Sequence, residues 1–198
     1  MSAASPASST TTSIRASSFW SNLRPREHLL QCYAHEDALL DALEGFVSSG
    51  LRAGEGVAVL ATATHLHELE KRLRAHWLDI DRARWEQRYH PLLAQEVLAK
   101  FMGEDGLPDE NLFRAVADDL LASARGTGRK VRFFGEMVNV LWARGDIAGS
   151  IQLENLWCGF LLDNDAQLFC AYARELFGEN AGTTLRCLRD LHTMMLPG

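Results

Sequence analysis

The sequence has no long apolar run and no export signal. None of its apolar stretches reaches the roughly 18 residues that predict a membrane-spanning helix. The N-terminus also lacks the charged and then apolar segments of a secretory signal. These absences predict a protein that neither enters a membrane nor is exported, and therefore a cytoplasmic location.

Basic residues are also fewer than acidic ones. The 198 residues include 20 Lys and Arg against 26 Asp and Glu, which gives a formal net charge of −6. No block of basic residues interrupts this balance. Because a nucleic acid carries dense negative charge, the sequence predicts no direct binding to DNA or RNA.

Cysteine is scarce and widely spaced. The four cysteines form neither a CxxC pair nor the cysteine-histidine spacing of a zinc finger, so buried, reduced thiols are the expected state. Three histidines lie close together without an HExxH motif, and the first two point to different faces of the predicted helix. We therefore predict no metal site and assign these histidines to the solvated surface; they are His65, His67 and His76.

The composition that remains is that of a globular protein, with 47% hydrophobic and 23% charged residues. Residues 1–22 are half serine and threonine and cannot bury enough apolar area to offset the entropy of ordering. We interpret them as a disordered tail, in which Phe19 and Trp20 could dock on the domain or on a partner. Residues 23–198 are predicted to form a single domain.

Strand-like and helix-like segments alternate along that domain. This pattern predicts an α/β three-layer sandwich with a mainly parallel central sheet, in which ligands bind beyond the carboxyl ends of the strands. Pro91 is expected to open a helix, and Asp109 and Thr64 to cap two others. The predicted strands are 29–33, 57–61, 131–134 and 168–172, with a weaker candidate at 84–89.

Two groups of motifs carry a resemblance to a known family. The first is His28-Leu-Leu-Gln-Cys-Tyr33 followed by Gly50-Leu-Arg-Ala-Gly54-Glu55; the second is Val131-Arg-Phe-Phe-Gly-Glu-Met137 with Leu168-Phe-Cys-Ala-Tyr172. In order and spacing they resemble the MEDS sensory domain over residues 26–178. The resemblance implies signal sensing on a RecA-like, KaiC-like core. Since members often carry a DNA-binding or histidine-kinase module, and neither is evident, it also implies output through a separate protein.

The RecA-like core is expected to lack a Walker A loop. That loop, GxxxxGK[ST], would lie between the first strand and the first helix, where its backbone N–H groups and lysine grip phosphate. The segment here is Tyr33-Ala-His-Glu-Asp37, which has no glycine or lysine and presents two carboxylates. Because like charges repel, ATP hydrolysis by the usual mechanism is not expected.

Two acidic residues are candidate ligand contacts. Glu136 directly follows a predicted strand, where it either contacts a ligand or favours the start of a helix through the helix dipole. Glu154 lies on an otherwise apolar helix face, where a carboxylate requires partners. Arg132 and His28 are the predicted partners, in either a structural ion pair or a ligand-responsive one.

Aromatic residues complete the predicted pocket. Tyr33 and Tyr172 both end strands and could line one crevice together with Trp157, although core packing is the alternative for each. No catalytic residue is predicted, since no GxSxG or other nucleophile motif is present. The candidate ligand-binding residues are thus His28, Tyr33, Arg132, Glu136, Glu154, Trp157 and Tyr172.

The leading hypothesis is a stand-alone sensory domain. It would bind a small ligand, whose identity the sequence does not specify, and regulate a histidine kinase or a transcription regulator. One alternative is a protein-interaction module with a vestigial nucleotide pocket, in which the tail with Phe19 and Trp20 docks on a partner. A less favoured alternative is a weak hydrolase that uses Glu136 or His28 as general base.

Overall fold

A single parallel sheet forms the centre of the molecule. The structure, a computed structural model, describes residues 19–198, apart from the side chains of residues 179–181, 183 and 184; the predicted tail up to residue 18 lies outside them. Within the described residues six strands pair in the order β3-β2-β4-β5-β1-β6, and every pairing is parallel. The strands are β1 (His28–Tyr33), β2 (Gly56–Ala61), β3 (Tyr89–Leu93), β4 (Val131–Gly135), β5 (Ala166–Ala173) and β6 (Met194–Leu196).

Helices cover both faces of this sheet. One face packs against α1 (Glu36–Arg52), α2 (Ala63–Ala75) and α3 (Ile80–Trp85). The other packs against α4 (Ala94–Leu98), α5 (Glu110–Arg125), α6 (Met137–Ala143), α7 (Ile147–Asp163) and α8 (Ala181–Leu191). A 3-10 segment, Arg174–Asn180, precedes α8. No helix in residues 19–198 combines the length and apolar character needed to cross a bilayer.

The continuous apolar strands explain this three-layer arrangement. All residues of β1, β2 and β4 are buried, and alternate side chains of each strand enter opposite helical layers. A parallel sheet requires this burial on both faces because its crossover helices cover both. The predicted α/β sandwich is confirmed, and so are the four stronger predicted strands.

The segment around Pro91 differs from the prediction. Residues 80–85 form α3, which Asp79 caps by accepting a hydrogen bond from the backbone N–H of Arg82 at 2.9 Å. The strand begins only at Tyr89, and Pro91 lies inside it rather than at the start of a helix. Proline is tolerated there because β3 is an edge strand, with a free side where no N–H donor is required.

The start of α2 was also misplaced by sequence reasoning. Thr62, not Thr64, caps α2 by accepting from the N–H of His65 at 3.3 Å. Trp77 follows the end of α2 and is 94% exposed. Asp109 caps α5 as predicted.

Trp20 closes the core between α1 and the sheet. Its ring centroid lies 5.6 Å from that of Phe46 and 5.9 Å from that of Phe169, and only 6% of the residue is exposed. Gly45 permits this position, since a Cβ there would lie 2.3 Å from the indole Nε1. Of the two docking sites considered for Trp20, the structure shows the domain itself.

We predict that Trp20→Ala lowers the free energy of unfolding by about 3–5 kcal/mol, because it removes a large buried side chain and leaves a cavity. Urea denaturation measures the change. The matched control is Trp85→Ala, which removes an 84% exposed indole and should stay within about 0.5 kcal/mol of the wild type. Equal effects of the two substitutions would show that Trp20 is not part of the core.

Candidate functional site

A cleft of about 340 Å³ lies where two neighbouring strands end. Strands β1 and β5 are adjacent and parallel, with Tyr33 paired to Ala173 at their carboxyl ends. Only Ala34 and His35 connect β1 to α1, so this short connection occupies the place of a phosphate-binding loop. The lining is rich in acidic groups and consists of Tyr33, Ala34, His35, Glu36, Asp37, Ala173 and Glu175.

One wall of the cleft leads to a buried histidine. Glu36, in the first turn of α1, contacts Nε2 of His65 through its carboxylate. Nδ1 of the same imidazole lies 2.8 Å from Oε1 of Glu136, which follows β4. The second oxygen of Glu136 accepts the backbone N–H of Thr62 at 2.8 Å. These contacts join α1, α2 and the end of β4.

The two carboxylates determine the charge of His65. Burial alone lowers the pKa of the imidazole, but the hydrogen bonds and negative charges of Glu136 and Glu36 raise it to about 9. His65 is therefore a cation at neutral pH, with both ring nitrogens donating. Burial raises the pKa of the neighbouring Tyr33 hydroxyl, and Glu36 and Glu136 raise it further, so that hydroxyl stays neutral.

Arg132 lies near the amino end of β4, at the opposite end of the strands from the cleft. It pairs with Glu55, and its guanidinium donates to the backbone oxygens of Trp20 at 3.0 Å and Phe46 at 3.2 Å. The prediction that Arg132 pairs with Glu154 is therefore wrong. The Arg132 side chain leaves β4 on the face that packs against α1, whereas Glu154 belongs to α7, which covers the other face.

Glu154 has partners of its own on the face of the sheet that α4 to α8 cover. Its carboxylate is fully buried and accepts from the Tyr172 hydroxyl at 2.8 Å. Nε2 of His28 lies 3.3 Å from Oε2 of Glu154, and Nε2 of His192 lies 3.5 Å from the same atom. The predicted contact with His28 is thus confirmed.

The two histidines of this second cluster differ in their tendency to carry a charge. Burial opposes ionisation of Glu154, but His192, His28 and Tyr172 lower its pKa overall. Burial also opposes charge on His28, while Cys158 and Glu154 raise its pKa to about 9. Burial, with the nearby charge of His28, lowers the pKa of His192 to about 4 against the opposing effect of Glu154.

The predicted site residues therefore fall into four places. Tyr33 and Glu136 lie at the carboxyl edge, and Arg132 lies at the amino edge. Trp157 packs in the core, with ring centroids 4.9 Å from Phe113 and 5.4 Å from Phe133. The buried cluster holds the other three, which are His28, Glu154 and Tyr172.

Sequence reasoning missed the residue that connects the cleft to the core. His65 was assigned to the solvated surface, yet it is 8% exposed. Its signal was its place in the first helical turn after β2, because residues that follow parallel strands gather at one edge. His67, two positions later, is exposed as predicted.

The model of the MEDS family, the methanogen/methylotroph, DcmR sensory domain, matches residues 27–193. The chain belongs to the MEDS family. The role of this MEDS domain is thus sensory, as the resemblance in the sequence implies.

A solved structure supports the fold independently. The KaiC-like protein from the hyperthermophilic archaeon Pyrococcus horikoshii OT3 is 10% identical, with a TM-score of 0.59 over 87% of this chain and 73% of the other. This likeness concerns the fold alone and confirms the RecA-like, KaiC-like core. No curated protein is significantly similar to the MEDS domain described here.

We predict that Glu136→Gln lowers the pKa of His65 by about one unit or more, because it removes a buried anion in contact with the imidazole. Histidine side-chain NMR titration measures that pKa directly. Asp119→Asn, at an exposed position of α5, serves as the control and should leave it near 9. An unchanged titration in Glu136→Gln would contradict the described charge state.

The same pair predicts how stability depends on pH. Because folding raises the pKa of His65 from its ordinary value of 6.5 to about 9, its protonation stabilises the fold fully below pH 6.5. This stabilisation declines above that pH and is lost as the pH passes about 9. Urea titrations at increasing pH should therefore show a shrinking difference in unfolding free energy between the wild type and His65→Gln. A difference that grows with pH would reverse the assigned sign.

Proposed function

We propose that this sensory domain binds a small ligand in the cleft at the ends of β1 and β5, and that Glu36 reports its arrival. The observation that carries the proposal is the position of Glu36. Its side chain is 63% exposed in the cleft, yet it contacts the largely buried His65. A ligand that engages this carboxylate therefore competes with a buried cation.

Charge defines the class of ligand. The cleft is lined by the carboxylates of Glu36, Asp37 and Glu175, while the neutral Tyr33 hydroxyl adds one polar group. Its volume of about 340 Å³ is at the lower end for small-molecule sites. A small cation or a strong hydrogen-bond donor fits this lining, whereas phosphate meets repulsion.

Helix α2 is suited to carry the signal away. His65 lies in its first turn, and Arg72, farther along, pairs with Asp37 of the cleft at 2.7 Å. Its 13 residues span about 20 Å. Loss of the contact between Glu36 and His65 would shift the balance between two positions of α2 relative to α1.

The far end of α2 offers a surface for a partner. Trp77 lies just after α2 and is 94% exposed, and Trp85 is the last residue of α3 and is 84% exposed. Tryptophan is enriched in protein interfaces. Trp77 also has a φ of 60°, a strained conformation for a non-glycine residue. We assign the regulated partner, a histidine kinase or a transcription regulator, to this surface.

Two alternatives are less well supported. In an interaction module, Trp20 would have to leave a core in which it is 6% exposed; Trp77 and Trp85 are better placed for that role. In a hydrolase, Glu136 would act as general base, but His65 and the N–H of Thr62 occupy both of its oxygens.

We predict that propylammonium, but neither propionate nor ATP, raises the melting temperature. Propylammonium and propionate are of similar size and differ in the sign of charge, so the comparison isolates electrostatics. At about 100 times its Kd, a ligand should raise the melting temperature by about 5–10 °C in a protein of this size. Differential scanning fluorimetry gives the readout.

Variants locate the binding site. Glu175→Gln removes a cleft carboxylate other than the two that contact His65, and it should reduce the rise in melting temperature. Asp119→Asn, far from the cleft, should preserve that rise. Stabilisation by propionate or ATP equal to that by propylammonium would refute the cationic selectivity. Undiminished stabilisation in Glu175→Gln would place the ligand elsewhere.

A further inference from the structure

Four donor groups converge between the sheet and the helical layer opposite His65. They belong to His28 of β1, Glu154 of α7, Cys170 of β5 and His192, which follows α8. One donor atom from each lies within 4.8 Å of the other three. Nε2 of His28 lies 3.4 Å from Sγ of Cys170 and 3.3 Å from Oε2 of Glu154, and Nε2 of His192 lies 3.5 Å from that oxygen.

Three of the six separations among these donors suit tetrahedral coordination. Zinc binds imidazole nitrogen and carboxylate oxygen at about 2.0–2.2 Å and thiolate sulfur at about 2.3 Å. Tetrahedral geometry then places donor atoms about 3.3–3.7 Å apart. The three separations given above fall in this range, and all of them lie within 4.8 Å.

Two buried polar atoms of the cluster lack a hydrogen bond, although one of them forms an ion pair with His28. Glu154 Oε2 and His192 Nε2 form no hydrogen bond, although both side chains are fully buried. An unsatisfied buried carboxylate oxygen or imidazole nitrogen is costly. Because the two atoms lie 3.5 Å apart, one bound cation would satisfy both.

Hydrogen bonds to surrounding groups leave Nε2 of His192 and Oε2 of Glu154 free to bind a metal ion. Nδ1 of His192 donates to the backbone oxygen of Leu188 at 2.6 Å, which makes Nε2 the lone-pair nitrogen. The Tyr172 hydroxyl binds Oε1 of Glu154, so Oε2 remains. Sγ of Cys158 lies 3.6 Å from Nδ1 of His28. Such hydrogen bonds from outside the donor set orient the ligands in metal sites.

We infer that His28, Glu154, Cys170 and His192 form a binding site for a zinc-class divalent transition-metal ion. Two imidazoles and a thiolate favour such an ion over Mg²⁺ or Ca²⁺, which prefer oxygen. Metal binding would release the protons of His28 and Cys170, after which the carboxylate and the thiolate balance the two positive charges of the ion. Because the protein supplies all four ligands, the site is structural rather than catalytic.

The ion would fasten the C-terminal segment to the sheet. Next to His192, Thr193 donates its backbone N–H to the oxygen of His28 at 2.8 Å and leads into β6. Its hydroxyl also donates to that oxygen, at 2.9 Å. Metal binding would therefore hold α8 and β6 against β1.

Cobalt substitution tests this site in the whole protein. After treatment with a chelator, the wild type should take up one Co²⁺ per chain, with the visible absorption of tetrahedral cobalt and a thiolate charge-transfer band. Zinc should displace the cobalt and raise the melting temperature. A folded wild type that takes up no Co²⁺ at one equivalent would overturn the inference.

Variants assign the ligands. Cys170→Ser should lose the charge-transfer band, and His192→Gln should bind Co²⁺ at least about 100-fold more weakly, since even outer partners are worth 10–100-fold. Cys187→Ser and His67→Gln, at exposed positions, are the matched controls and should match the wild type. Unchanged spectra and affinities in both ligand variants would refute the site.

This inference is independent of the proposed ligand cleft. Glu36→Gln changes the cleft and leaves the four donors intact, so it should bind Co²⁺ as the wild type does. Failure of propylammonium to bind would leave the metal result unaffected, and the converse also holds.

Discussion

A protonated histidine held between two carboxylates connects the surface of this domain to its interior. His65 can remain charged in a largely buried position only because Glu36 and Glu136 compensate for the lost hydration. Glu136 is 1% exposed, while Glu36 reaches the cleft. One imidazole therefore links a solvent-accessible group to the end of a central strand, and the sensory account depends on this link.

The same edge of the sheet explains how a KaiC-like fold can serve sensing. In a nucleotide-binding relative, a glycine-rich loop and a lysine would surround phosphate at the end of the first strand. Here Ala34 and His35 alone connect β1 to α1, and carboxylates follow them. A crevice still lies there because parallel strands end at this edge, but its carboxylates would repel phosphate.

The sequence predicted the layers better than the contacts. Apolar runs identified four strands because a parallel strand is buried on both faces, whereas β6 has only three residues and no detectable period. Pro91 was misread because its tolerance depends on an edge position that only the topology reveals. Glu154 was correctly singled out as a buried carboxylate in need of partners. His192 could not be named as one, since that contact depends on the path of the chain after α8.

Hydrogen exchange along α2 tests the central claim most directly. If Glu36 couples the cleft to His65, saturating propylammonium should change the exchange of amides in Ala63–Ala75 in the wild type. The same treatment of Glu36→Gln should leave them unchanged. Equal changes in both proteins, or none in the wild type despite measured binding, would contradict the account.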